Sequence, residues 1–113
     1  MDSRVAANID IAPTIYQATG INPGYTVDGR SLLDNWQRKW LLLEFQDPDI
    51  PQIPPWYSYL APGERQYVHW SDGFIEDYNL RSDPAEMNAS NAPDPSIEAK
   101  LAAAETCRGN SCP

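Results

Sequence analysis

The 113-residue chain lacks any long apolar run, has one histidine and two cysteines, and carries 8 Lys plus Arg against 16 Asp plus Glu. Each shortage excludes something. The longest apolar stretch, WLLL at 40–43, has the length of a strand, far short of the about 18 residues of a membrane span. A net charge of -8 leaves no basic footprint for nucleic acid or an anionic membrane, so neither partner is expected. Zinc needs four ligands, and two thiols with one imidazole do not supply them. A nucleophilic triad would have to use His69 as its base, and no serine sits in a strand-to-helix elbow of the G-x-S-x-G kind. The opening MDSRVAANID lacks the charged-then-apolar build of a signal peptide, so the chain is expected to be either cytosolic or cut from a longer precursor.

What is present argues for a folded core. Hydrophobic residues make up 42% and aromatics 11%, with four tryptophans and six tyrosines, more than a disordered acidic chain would hold. Cys107 and Cys112 stand in CRGNSCP, whose small, turn-forming interior lets two sulfurs meet. A disulfide is expected, which favours an oxidising compartment; two free thiols are the alternative.

Local pattern predicts an α+β fold. NIDIAPTIYQATG at 8–20 reads as a helix with Asn8 or Asp10 as cap, Pro13 in the first turn and Gly20 as its stop, its apolar face formed by Ile11, Ile15 and Ala18. Ser31 is placed to cap a short second helix at LLDNW. KWLLLEFQ, WYSYLA, RQYVHW and FIEDYNL alternate as strands of an antiparallel meander, and the prolines of PDIPQIPP keep residues 48–55 in a loop. A last helix opens at Asp94 and Pro95 and lays Ile97, Leu101 and Ala104 on the sheet. The expected architecture is an about four-stranded antiparallel sheet packed against a C-terminal helix and preceded by one or two helices. The leading helix carries more apolar surface than such a domain needs, and reads as the edge of something missing.

The carboxylates concentrated in DGFIEDYNLRSDPAEMNA, residues 72–89, raise the question of a metal or an acid pair. An EF-hand reading from Asp77 puts Arg81 at a ligand position and Ser82 where the sharp turn needs glycine, so calcium is not expected. Glu76 and Asp77 are adjacent, face opposite sides of a strand and cannot flank a glycosidic bond. SDPAE is better read as a helix start, with Asp83 as cap, Pro84 at the first position and Glu86 closing an acidic capping box. His69 alternates with Tyr67 and is expected to be packed or at a rim, with contact to substrate the lesser reading. Tryptophans 36, 40, 56 and 70 are expected in the core; the alternative is a carbohydrate- or partner-binding module with Trp56, Tyr57, Tyr59 and Trp70 as an aromatic surface.

Three stretches in order, NIDIAPTIYQATGI, DGRSLL and IEDYNLRSDPAEMN, resemble the C-terminal third of the type I sulfatases, and the tail LAAAETCRGNSCP is similar to the ending of those related to N-acetylglucosamine-6-sulfatases. The chain departs at EDYNL, where the family usually has ELYDL, but keeps the strand alternation. The resemblance implies hydrolysis of sulfate esters by a formylglycine, made from the Cys or Ser of C/S-x-P-x-R, beside a calcium ion. It also implies that both lie in a larger N-terminal α/β domain. Here neither cysteine opens that motif, and Ser82 to Glu86 has glutamate where arginine is required. The resemblance thus implies a fragment that is inactive alone and secreted or periplasmic. Residues 1–38 would belong to the edge of the catalytic domain and 39–113 to the sheet-plus-helix subdomain. No catalytic, cofactor or metal residue is expected; His69 is the candidate for the substrate rim, and Cys107 and Cys112 form the disulfide. The partner is the missing domain, with self-association possible in its absence.

Overall fold

The computed structural model describes residues 4–113, apart from the side chain of Asn110; the first three residues of the 1–38 segment lie outside it. A 3-10 turn, Asn8–Asp10, runs into helix α1, Ile11–Thr19. Four strands follow, β1 Leu41–Phe45, β2 Trp56–Ala61, β3 Arg65–Trp70 and β4 Ile75–Asn79, then helix α2, Pro95–Ala104, and a 3-10 turn, Gly109–Ser111. The strands form one antiparallel sheet in the order β1-β2-β3-β4. The expected α+β fold is therefore what forms: a four-stranded antiparallel sheet, helical turns before it and a helix after it.

Strand alternation sorts the side chains. Opposed pairs Leu42, Tyr59, Tyr67 and Asp77 lie on one face, with Tyr57, His69 and Ile75. α2 packs there: Ile97 and Leu101 join Tyr67 and Ile75 in the buried cluster, with Trp40, Leu42, Tyr57 and Tyr59 around it. α2 starts where the sequence says, because Pro95 occupies the first turn and the Asp94 carboxylate accepts from the N–H of Ser96 at 2.9 Å and of Ile97 at 3.4 Å. That carboxyl is held down at about 2 by the Ser96 hydroxyl and N–H and by Arg65. α1 ends at Gly20 in the left-handed region, φ 69°, and the N–H of Ile21 returns to Tyr16 O at 3.0 Å.

Three expected helix caps do not form. Neither Asn8 nor Asp10 caps α1; Asp10 has helical φ and ψ of its own, and its carboxylate is taken up by partners far along the chain. Ser31 starts one turn and no helix, because its carbonyl accepts from Asp34 N–H at 3.2 Å and from the Trp36 indole at 2.5 Å, and exposed Leu33 has nothing to bury against. Asp83 starts no helix either. Its two carboxylate oxygens accept from the N–H groups of Met87 and Asn88 at 3.0 and 2.8 Å, Glu86 turns left-handed at φ 55°, and Met87 is exposed. Residues 83–88 form a folded loop, after which Ser90 bridges to Asp77.

Gly29 explains the DGRS stretch. A Cβ there would stand 1.9 Å from the carbonyl oxygen of Ile9, so the turn lies directly on the backbone of the first 3-10 turn. Gly29→Ala is expected to push the two apart and cost about 1–3 kcal/mol, read as a lowered urea midpoint. An unchanged midpoint would mean that the contact yields freely.

The fold is loose for its length. Its radius of gyration is 16.0 Å, against about 13 Å for a compact domain of this size. α1 buries no residue at all, and Ile11 and Ile15 stay 55% and 54% exposed.

Candidate functional site

Three polar assemblies are built on this frame. The first joins β3 to α2. The Glu98 carboxylate lies 2.9 Å through each oxygen from His69 Nδ1 and also accepts the Tyr67 hydroxyl. With Glu98 accepting, a neutral His69 carries its proton on Nδ1 and has Nε2 as its remaining acceptor. Burial, and then the bond to Glu98, push the Tyr67 hydroxyl up to about 12, so it stays a donor. The His69 ring lies 5.1 Å from that of Tyr57. His69 is thus half-buried and clamped between strand and helix.

The second is Arg65, bidentate to Asp77 at 2.7 Å through Nε and Nη2, with Nη1 at 2.8 Å from Asp94. It ties β3 and β4 to the cap of α2. Glu76 is on the other face of β4, so the adjacent acids are separated as the strand period requires.

The third lies in the N-terminal segment and was not foreseen. Asp10 and Arg38 form an ion pair, at 2.6 and 2.9 Å, with side chains 0% and 1% exposed. Asp10 also accepts from the N–H of Ala7 at 2.8 Å and of Arg30 at 2.9 Å. Burial raises its carboxyl, but Arg38 and these two N–H groups outweigh it and hold it at about 2. Trp36 stands beside it with the guanidiniums of Arg4, Arg30 and Arg38 at 5.4, 5.9 and 5.0 Å from its ring. The one local hint was an aspartate between two isoleucines in Ile9-Asp10-Ile11; its partners lie 20 and 28 residues on.

Cys107 and Cys112 form the disulfide, not two free thiols. Its loop docks on the DGR turn, with Gly109 N–H donating to Asp28 at 2.7 Å and Arg30 donating to Cys112 O at 2.8 Å.

The tryptophans divide. Trp40 stacks on Tyr59 at 4.9 Å beside the core, whereas Phe45, Trp56 and Trp70 form a row on the opposite face, at 6.1 and 6.2 Å. Register therefore splits the aromatic set that a binding surface would use: Trp56 and Trp70 face one way, Tyr57 and Tyr59 the other. An open groove of about 760 Å³ runs between α1 and the following loop, lined by Pro13, Tyr16, Gln17, Arg30, Asp34 and Trp36. Within it Gln17 donates to Asp34 at 2.7 Å, and the Tyr16 hydroxyl pairs with that of Tyr25 at 2.7 Å.

Among the described residues, no group of three or more His, Cys, Asp or Glu side chains could hold a metal ion. Asp77, Asp94 and Glu98 are committed to Arg65, His69 and Tyr67, an arrangement that locks elements together. No helix is long and apolar enough to cross a membrane among the described residues.

No family model matches the chain, and no curated protein matches it. Among solved structures, it is similar to the phosphonate monoester hydrolase of Agrobacterium radiobacter, with a TM-score of 0.70 and 22% identity over 89% of this chain. The chain spans 23% of the length of that enzyme. It is thus a distant structural relative of the hydrolase, sharing the fold of a segment of it.

Proposed function

We propose that this chain is the C-terminal subdomain of an ester hydrolase of the alkaline-phosphatase and sulfatase superfamily, acting on sulfate esters in the complete enzyme. Residues 1–38 would be the edge of a larger α/β domain and 39–113 the terminal subdomain. The observation that carries this reading is α1: nine residues with none buried and two isoleucines more than half exposed, in a helix whose apolar spacing suits a covered face. The ordered sulfatase-like motifs support it, as does the likeness in fold to an enzyme more than four times as long as the matched segment. The disulfide agrees with a secreted or periplasmic setting.

The residues present do not fit calcium or formylglycine. Three-ligand clusters are missing among the described residues, and the sequence holds no C/S-x-P-x-R. Nucleophile and metal would be supplied by the larger domain, with His69, backed by Glu98, on the rim of the cleft. The test is the reading frame upstream of Met1: an in-frame C/S-x-P-x-R supports the proposal, and an in-frame stop before any such motif overturns it. The chain alone is expected to show no turnover of an aryl sulfate with calcium, and to self-associate in sedimentation through α1, since apolar patches beyond a few hundred Å² rarely stay open. Turnover that survives repurification would equally overturn the reading.

A further inference from the structure

We propose that Asn88 is an acceptor for N-linked glycan. Of the seven asparagines, only Asn88 is followed two residues on by serine or threonine, in Asn88-Ala89-Ser90 with no proline between. Asn91 fails because Pro93 holds that place, and Asn110 because Cys112 does and is closed in the disulfide.

The fold presents this sequence outward. Every residue from Pro84 to Pro93 is exposed. The left-handed turn at Glu86 and the bonds from Met87 and Asn88 N–H to Asp83 fix the backbone of the loop through the main chain. No hydrogen bond engages the Asn88 carboxamide among the described residues. Ser90 is held in extended pairing with Asp77, N to O at 2.9 Å in both directions. The acceptor is thus exposed on a folded loop at the edge of β4, beside an open groove lined by Glu64, Arg65 and Asp77, where a large, hydrated substituent has room. The second, independent observation is the disulfide, which agrees with an oxidising compartment of the kind where such transfer occurs.

The step needs a lipid pyrophosphate-linked oligosaccharide and its transferase. The Asn88 side-chain nitrogen forms a bond to C1 of the donor sugar, and the C1–O bond to phosphate breaks, its electron pair leaving with the lipid pyrophosphate. The nitrogen gives one proton to the transferase's base. This proposal does not depend on the hydrolase reading.

The test is glycopeptide and intact-mass spectrometry on the protein secreted by its source, alongside Asn88→Gln, Ser90→Ala and Ser90→Thr. The expected result is carbohydrate on Asn88 and none on Asn91, complete loss of the added mass in Asn88→Gln and Ser90→Ala, and its retention in Ser90→Thr. All three substitutions are exposed, so an unchanged urea midpoint shows that they fold. Unmodified Asn88 in the secreted protein, or carbohydrate that persists in Asn88→Gln, overturns the proposal.

Discussion

Asp10→Ala is expected to destabilise the chain by about 3–5 kcal/mol, because it leaves the guanidinium of Arg38 buried with its charge uncompensated. It also strips the acceptor from two main-chain N–H groups, those of Ala7 and Arg30. A loss of that size is a large part of the about 5–15 kcal/mol that holds a domain together, so the variant is expected to be largely unfolded in mild urea. If it fails to fold outright, Asp10→Leu combined with Arg38→Met removes both charges at once and is expected to recover much of the loss. A double variant no better than Asp10→Ala would mean that the pair is not the source of the effect.

The same residue carries a pH dependence. The Asp10 carboxyl stands at about 2 in the folded chain, below its ordinary 3.8. A depressed folded value means that the ionised group stabilises the fold fully above about 4, and that this contribution disappears as pH falls through about 2. The shift corresponds to stabilisation of order 2 kcal/mol. Asp94 is held at about 2 as well and titrates in the same window, so the two are separated by comparing variants. Urea midpoints taken at pH 5 and pH 2.5 should fall less in the Asp10→Leu/Arg38→Met chain than in the parent. Equal falls would place the acid sensitivity elsewhere.

Leu101→Ala should lower stability by about 2–5 kcal/mol. Leu101 is 2% exposed and packs with Ile97 against Tyr67 and Ile75, so truncation leaves a void in the buried cluster that fastens α2 to the sheet. Freed of that contact, α2 would also lose the geometry that brings Glu98 to Tyr67 and His69. The control is on the other helix. Ile15→Ala in α1 removes a similar amount of hydrocarbon from a side chain that is already 54% in water, and is expected to shift stability by no more than about 0.5 kcal/mol. Urea midpoints for the two variants decide the matter. A large loss for Ile15→Ala would show that α1 is covered in solution, as the proposed self-association also requires, and the measurement is therefore made at low protein concentration.

The contrast between these two helices marks how far local pattern reaches. Both have apolar residues at helical spacing, and both were legible as helices from proline near the start and, in α1, glycine at the end. Alternation of aromatic and β-branched residues was enough for the four strands, and for putting Glu76 and Asp77 on opposite faces, because a period of two depends only on the strand itself. Proline and glycine marked the loops between the strands for an equally local reason.

Side-chain partnership was a different matter. Asp10, Ser31, Asp83 and Asp94 all stand where a helix could begin, and all carry an oxygen suited to capping, yet only Asp94 caps one. Asp10 is claimed by Arg30 and Arg38, and Asp83 by the loop that displays Asn88, while the Ser31 hydroxyl accepts from Leu33 N–H at the head of a single turn that goes no further. Capping chemistry is local, but these side chains also have partners elsewhere in the chain: α2 keeps its cap and buries a face on the sheet, whereas α1 forms with neither. The sequence by itself determined the strands, their order of faces, the disulfide candidates and the places where helices could start. Which starts became helices, which acid became the buried ion pair, and that α1 is left uncovered were decided by tertiary structure, because burial depends on contacts between residues far apart in the chain.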